Sequence, residues 1–206
     1  MYPEGLPYPS PNYRPGRREA ITHVVLHTCE SSTLEGCLAT LTDRYRVTST
    51  GTPARVSAHY LVDGSGVYQL VGEEDEAWAA GGSPGNPLTA NRYGIQVEIV
   101  GFANDPSTWT SAKLEHLAQL LEDITRRNAI PLSYRADSSE LARNRGLVAH
   151  GALDPDRRSD PGIYFPWDQL RGRILELRGQ TGAAMTSAGP ALAILFAALA
   201  FALVLR

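Results

Sequence analysis

The sequence predicts an α/β domain, a mixed central β-sheet flanked by helices, followed by a C-terminal hydrophobic helix. Three observations carry that expectation. Short β-rich runs with turn residues beside them alternate with apolar residues at helical spacing. The tetrapeptide Asp63-Gly64-Ser65-Gly66 joins two of the runs as a hairpin-type connection, so the sheet is mixed. Beyond Arg178 no charge appears until Arg206.

Residues 1–20 hold five prolines and no apolar run, which excludes a helix and a signal peptide. They read either as an extended arm laid over the domain or as a disordered leader. Thr22–Thr28 is the first strand. Leu34, Cys37, Leu38, Leu41 and Tyr45 then recur at helical spacing after a Ser31-Ser32 cap. Val56–Val62 and Val67–Val71 flank the hairpin connection, and Gly94–Val100 is the fourth strand. Leu114, Leu117, Leu121 and Ile124 mark a helix after Thr110, and Leu170, Ile174 and Leu177 another after Pro166. These elements place the domain at residues 21–178, with residues 179–206 as a linker and transmembrane helix.

The tail carries the membrane expectation. Ala183 to Leu205 is 23 apolar or small residues, about 34 Å of helix against a bilayer core of about 30 Å. A helix starting at Pro190 would be shorter, about 24 Å. The alternative is a helix docked on the domain or on a partner. Arg171, Arg173 and Arg178 precede the run and Arg206 alone follows it, which keeps the domain on the cytoplasmic side of the membrane. With 19 Lys and Arg against 22 Asp and Glu among 206 residues, the chain lacks a basic field for nucleic acid.

Five histidines narrow the chemistry. His116 lies among Lys113, Glu115 and Gln119 and reads as a solvated helix residue. His23 and His27 stand four apart on a strand, about 13 Å, too far to share one ion. His27 instead ends an apolar strand, where side chains project into a cleft. His150 ends the apolar stretch Gly146-Leu147-Val148-Ala149, and Asp160 follows ten residues on. Two histidines and a carboxylate suit a catalytic zinc with its fourth position left to water. Satisfied core histidines are the alternative.

The ordered motifs Val24-Val25-Leu26-His27-Thr28, Val56-Ser57-Ala58-His59-Tyr60-Leu61-Val62 with Asp63-Gly64-Ser65-Gly66, Ala77-Trp78 with Ala80-Gly81, Asn91 through Glu98, and His150 through Asp160-Pro161-Gly162 span about Ile21 to Leu177. In these the chain resembles the zinc N-acetylmuramoyl-L-alanine amidases, whose fold is shared by phage endolysins, cytosolic muropeptide amidases and peptidoglycan recognition proteins. The resemblance implies zinc on His27, His150 and Asp160. It implies Glu98 as the base, although a glutamate between Val97 and Ile99 could also simply face water. A tyrosine that some relatives use falls on Ala58. Arg158 stands where the family often has lysine, implying an oxyanion partner; a surface arginine paired with Asp154 or Asp156 is the alternative. His59, Tyr60, Trp78 and Asn91 fall along the substrate groove, with Trp78 either stacking on a sugar or filling the core. Ala79 replaces a frequent histidine.

Cys29 and Cys37 stand eight apart. Free thiols, a disulfide such as recognition-protein relatives form here, or thiolate ligation all fit. The implied reaction is hydrolysis of the amide between N-acetylmuramic acid and L-alanine in peptidoglycan, in a phage-endolysin setting. A non-catalytic peptidoglycan-binding module and a cytosolic muropeptide-recycling amidase are the alternatives, and the zinc ligands favour an enzyme over a binder.

Overall fold

The computed structural model describes residues 8–80, 90–135 and 145–187. Its strands are β1 (Tyr13–Arg14), β2 (His23–Thr28), β3 (Tyr60–Val62), β4 (Val67–Gln69), β5 (Glu76–Ala77), β6 (Gly94–Ile99), β7 (Tyr134–Arg135) and β8 (Gly146–Ala149). The central sheet runs β4-β3-β6-β2-β8-β7. All neighbours in it are parallel except β3 and β4, which form the expected hairpin. Asp63 Oδ1 accepts from the Ser65 and Gly66 amides at 2.7 and 2.9 Å and closes that turn. The helices are α1 (Leu34–Leu41), α2 (Ser111–Arg127), the single turn α3 (His150–Leu153) and α4 (Trp167–Ser187).

Strand alternation divides the sheet into two unlike faces. Val24 and Leu26 of β2 pair in register with Ile95 and Val97 of β6. With Ile99 and Leu147 they pack against Leu117, Leu120, Leu121 and Ile124 of α2 and Leu170 and Ile174 of α4. Each such fully buried aliphatic side chain contributes about 1.5–3 kcal/mol. The opposite face presents Val25 and His27 beside Gln96 and Glu98. Helix α1 covers only part of it, packing Cys37 and Leu41 around Leu61 and Ala58. The C-terminal ends of β6, β2 and β8 therefore border a cleft beside α1.

Three local expectations need correction. Helix α1 ends at Leu41, and Tyr45 is 82% exposed rather than on its apolar stripe. Its cap is Thr33, whose Oγ1 accepts from the Gly36 amide, not the Ser31-Ser32 pair. Only Tyr60–Val62 of the expected Val56–Val62 run is strand, because the backbone before it bonds elsewhere. The Asn12 Nδ2 amide donates to the Val56 carbonyl at 3.0 Å, and Ser57 Oγ donates to the Asn12 carbonyl.

Those contacts belong to the proline-rich arm, which from residue 8 onward lies over the domain. Ser10 Oγ donates to the Leu41 carbonyl (2.6 Å) and Asn12 Nδ2 to the Asp43 carbonyl (3.0 Å). Strand β1 pairs antiparallel with β5. The half-buried Arg17 guanidinium donates to the carbonyls of Glu73, Arg92 and Gly94. At the other end, helix α4 carries the chain to Ser187. Among the described residues no helix is long and apolar enough to cross a membrane. The apolar run expected to span one lies, from residue 188 on, outside the described residues.

Candidate active site

These strand ends converge on one point. His27 of β2 lies beside Glu98 of β6 in the parallel register. Strand β8 pairs with β2 up to Leu26 and Ala149, so His150 follows at the same level. Three neighbouring strands thus deliver His27, Glu98 and His150 at their C-terminal ends, where a crevice opens. Asp160 arrives from a loop that two glycines allow to close. The Gly151 amide donates to the Asp160 carbonyl at 2.8 Å, and a Cβ on Gly151 would sit 3.0 Å from the Ser159 backbone. Gly162 holds φ +93° with its Cα against Ala103, where a Cβ would collide with the Ala103 carbonyl.

The donor atoms of this set form a tight triangle. His27 Nδ1 and His150 Nδ1 are 3.0 Å apart, and Asp160 Oδ2 is 3.3 Å from the first and 3.1 Å from the second. Ligands at zinc distances in a tetrahedron stand about 3.3 Å from one another. All three residues are buried and could hold one metal ion. Their chemistry fits: two imidazole nitrogens and a carboxylate oxygen, with a further carboxylate, Glu98, beside them.

The charges explain themselves by position. Burial alone would raise the Asp160 carboxyl, but hydrogen bonds with His150 and His27 hold it well below the usual carboxylate range. Burial works against protonation of His27, yet Asp160 and the nearby Glu98 outweigh it and raise that imidazole. His150 is lowered, by burial and by the neighbouring His27, despite its own bond to Asp160. Burial pushes Glu98 up to about 7, with His27 opposing. Glu98 Oε2 is buried with no hydrogen-bond partner.

A cleft of about 210 Å³ opens over the triangle, lined further by Glu98, Arg158, Glu30 and Arg46. Arg158 is exposed there. Arg157, not Arg158, forms the ion pair with Asp154. Ala79 also lines the cleft, while its neighbour Trp78 is half-buried with the Arg55 guanidinium 5.6 Å from its ring centre. The Asn91 side-chain oxygen accepts from the Ala80 amide at 2.9 Å and so shapes the backbone beside Ala79.

Two expected substrate contacts are corrected. His59 is fully buried; its Nδ1 accepts from the Gln96 amide at 2.8 Å and its Nε2 lies 3.2 Å from the Asp75 carbonyl. Burial and the adjacent Arg17 charge lower it to about 3, so it is a neutral core residue. Tyr60 is 3% exposed, packs in the α2–α4 core and donates its hydroxyl to Glu73 at 2.6 Å. His116 is half-buried, donating from Nδ1 to the Asp63 carbonyl at 3.1 Å. His23 lies away from the triangle against Tyr93.

Two contributors went unseen in the sequence. Gln96, fully buried, places Oε1 2.9 Å from His27 Nε2. Glu30 accepts from Thr28 Oγ1 (2.7 Å) and the Ala103 amide (3.0 Å), which joins the end of β2 to the loop under Gly162. Alternation could have placed Gln96 on the His27 face; nothing local marks Glu30. Of the alternatives for the cysteines, the structure has Cys29 and Cys37 in a disulfide with Cα atoms 5.6 Å apart, tying α1 to the end of β2.

A buried His-His-Asp donor set with a carboxylate beside it, opening on a cleft, is suited to metal-dependent hydrolysis. Residues 17–163 match the N-acetylmuramoyl-L-alanine amidase family, and the chain belongs to it. It is 30% identical to N-acetylmuramoyl-L-alanine amidase AmiD of Escherichia coli over 66% of this chain, and spans 47% of that protein's length. It is 31% identical to N-acetylmuramoyl-L-alanine amidase A of Achromobacter lyticus over 82% of this chain and 90% of that one. A crystal structure of AmpD superposes with a TM-score of 0.63 at 24% identity, over 81% of this chain and 92% of the other, and shows the fold. E. coli AmiD in complex with the substrate anhydro-N-acetylmuramic acid-L-Ala-D-gamma-Glu-L-Lys superposes with a TM-score of 0.53 at 27% identity, covering 78% and 60%.

Proposed function

We propose that the chain is a zinc hydrolase that cleaves the amide between N-acetylmuramic acid and L-alanine in a muramyl peptide. The observation that carries this reading is the triangle of His27, His150 and Asp160 donor atoms, 3.0–3.3 Å on a side, with Glu98 in the adjoining strand position. When bound, zinc supplies Lewis acidity, polarising a carbonyl and acidifying water. Glu98 receives the proton of the attacking water on its partnerless Oε2 and returns it to the leaving amine of L-alanine. A carboxyl raised by burial suits both transfers. Arg158, unpaired with Asp154 and lining the same cleft, offers its guanidinium to the oxyanion. Asn91 and Trp78 shape the adjoining wall. The complete donor set favours turnover over mere binding.

The muramyl peptide is supported by the family and by the substrate seated in E. coli AmiD. Intact wall, which an endolysin would need, and released anhydromuramyl peptide are separated by assaying both. The test of the reaction is metal-dependent release. The full chain should retain about one zinc; chelation should abolish release of L-alanine-terminated peptide, and zinc should restore it. Full activity after exhaustive chelation would sink the mechanism.

A further inference from the structure

Gln96 has no assigned part in the chemistry above, yet it is fully buried and touches the proposed ligand His27 on the side away from the cleft. Its two amide atoms face different partners. Nε2 lies 3.0 Å from the Ala90 carbonyl and Oε1 lies 2.9 Å from His27 Nε2. A carbonyl can only accept, so the nitrogen of the Gln96 amide must face Ala90 and the oxygen must face His27. That oxygen in turn can only accept, so His27 Nε2 must carry the hydrogen. A neutral imidazole with its hydrogen on Nε2 has its lone pair on Nδ1, the atom 3.0 Å from His150 Nδ1 and 3.3 Å from Asp160 Oδ2. The clasp is itself built in: the Gly94 amide also donates to the Ala90 carbonyl at 2.8 Å, and a Cβ on Gly94 would lie 2.6 Å from that oxygen and 3.0 Å from Gln96 Nε2.

We infer that Gln96 is a positioning residue that selects the metal-binding tautomer of His27, under direction of the Ala90 carbonyl. This rests on the metal reading of the triangle. Being neutral, the amide does so without adding a third negative charge to Asp160 and Glu98. Gln96→Leu keeps the volume but removes the acceptor, and zinc affinity should fall about 10–100-fold, the range for loss of such a partner. Gln96→Glu restores an acceptor and should retain more of the affinity than Gln96→Leu.

The experiment measures zinc affinity of the full chain by chelator competition, and the His27 ring by nitrogen-15 NMR of the zinc-loaded protein. The parent should show zinc on Nδ1 and a slowly exchanging Nε2–H; in Gln96→Leu that hydrogen should exchange faster. Zinc on Nε2 in the parent overturns the inference even if Gln96→Leu fails to fold, and so does a Gln96→Leu affinity within about threefold of the parent. A parent that takes up no zinc overturns the metal reading along with it, whereas normal zinc uptake with an indifferent Gln96→Leu removes this inference alone.

Discussion

The two faces of the central sheet are made by alternate residues of the same strands, and they are built on opposite terms. Under α2 and α4, Val24, Leu26, Ile95, Val97 and Ile99 are fully buried and wholly apolar. One residue along in each strand, His27, Gln96 and Glu98 are almost as buried, at 1%, 0% and 9% exposure. The first face gains from every group removed from water. The second must find a partner for each polar atom or bear its desolvation. It finds them for His27 and Gln96, but Glu98 Oε2 has none. Stability is gathered on one face and partly given up on the other, at the point where a reacting group is needed.

Neighbouring substitutions should therefore fail in different ways. His150→Ala removes one corner of the triangle; zinc content and hydrolysis should both drop to background while the melting temperature stays near that of the zinc-free parent. Leu26→Ala, adjacent to His27 but facing α2 and α4, should cost about 2–5 kcal/mol in denaturant unfolding and leave kcat per folded molecule unchanged. The contrast between the faces breaks if His150→Ala unfolds the chain or if folded Leu26→Ala is inactive.

Glu98→Gln sharpens it. Turnover should fall a hundredfold or more, the scale of a general base, with zinc retained. A raised carboxyl favours the folded state fully below its unfolded value, near 4.5, and that contribution is lost as pH rises through about 7. With metal chelated, the parent should thus lose stability across that window and Glu98→Gln should lose less. A variant that melts with the parent's pH dependence places the buried titration elsewhere. The loss in kcat for Arg158→Ala should be smaller than the hundredfold typical of a buried oxyanion donor, because the guanidinium is exposed and screened; unchanged kcat would return Arg158 to the surface. Least affected in activity is Cys29→Ala with Cys37→Ala, which should lower stability by about 2–3 kcal/mol through the freed loop. No change in unfolding would mean that packing of Leu41 with Ala58 and Leu61, without the bridge, holds α1 on the site face.

How legible each part was follows from the range of its interactions. Strand β2, helices α2 and α4 and the Asp63–Gly66 turn are declared by residues within a few positions of one another. Motif order marks His27, His150 and Asp160; their spacing alone is weak and favours satisfied core histidines. His59 and Tyr60 misled because they sit within a matching motif, yet Arg17 and Asp75 enclose one and Glu73 holds the other. Those partners come from the arm and from the segment before β5, which local pattern does not connect to β3. Tyr45 misled for the opposite reason: helical spacing continued past Leu41, but the chain turned to meet the arm at Asp43.

By itself the sequence determined the alternation of elements, the mixed character of the sheet and the chemical types available to the site, because periodicity and turn chemistry act between neighbours. Only the tertiary structure decided which histidines meet, that Gln96 turns its oxygen to His27, and that the two cysteines join. Those outcomes depend on pairing of β6, β2 and β8, whose residues lie far apart in the chain. A parallel register brings them side by side, and hydrogen-bond directionality then leaves each buried polar atom few ways to point.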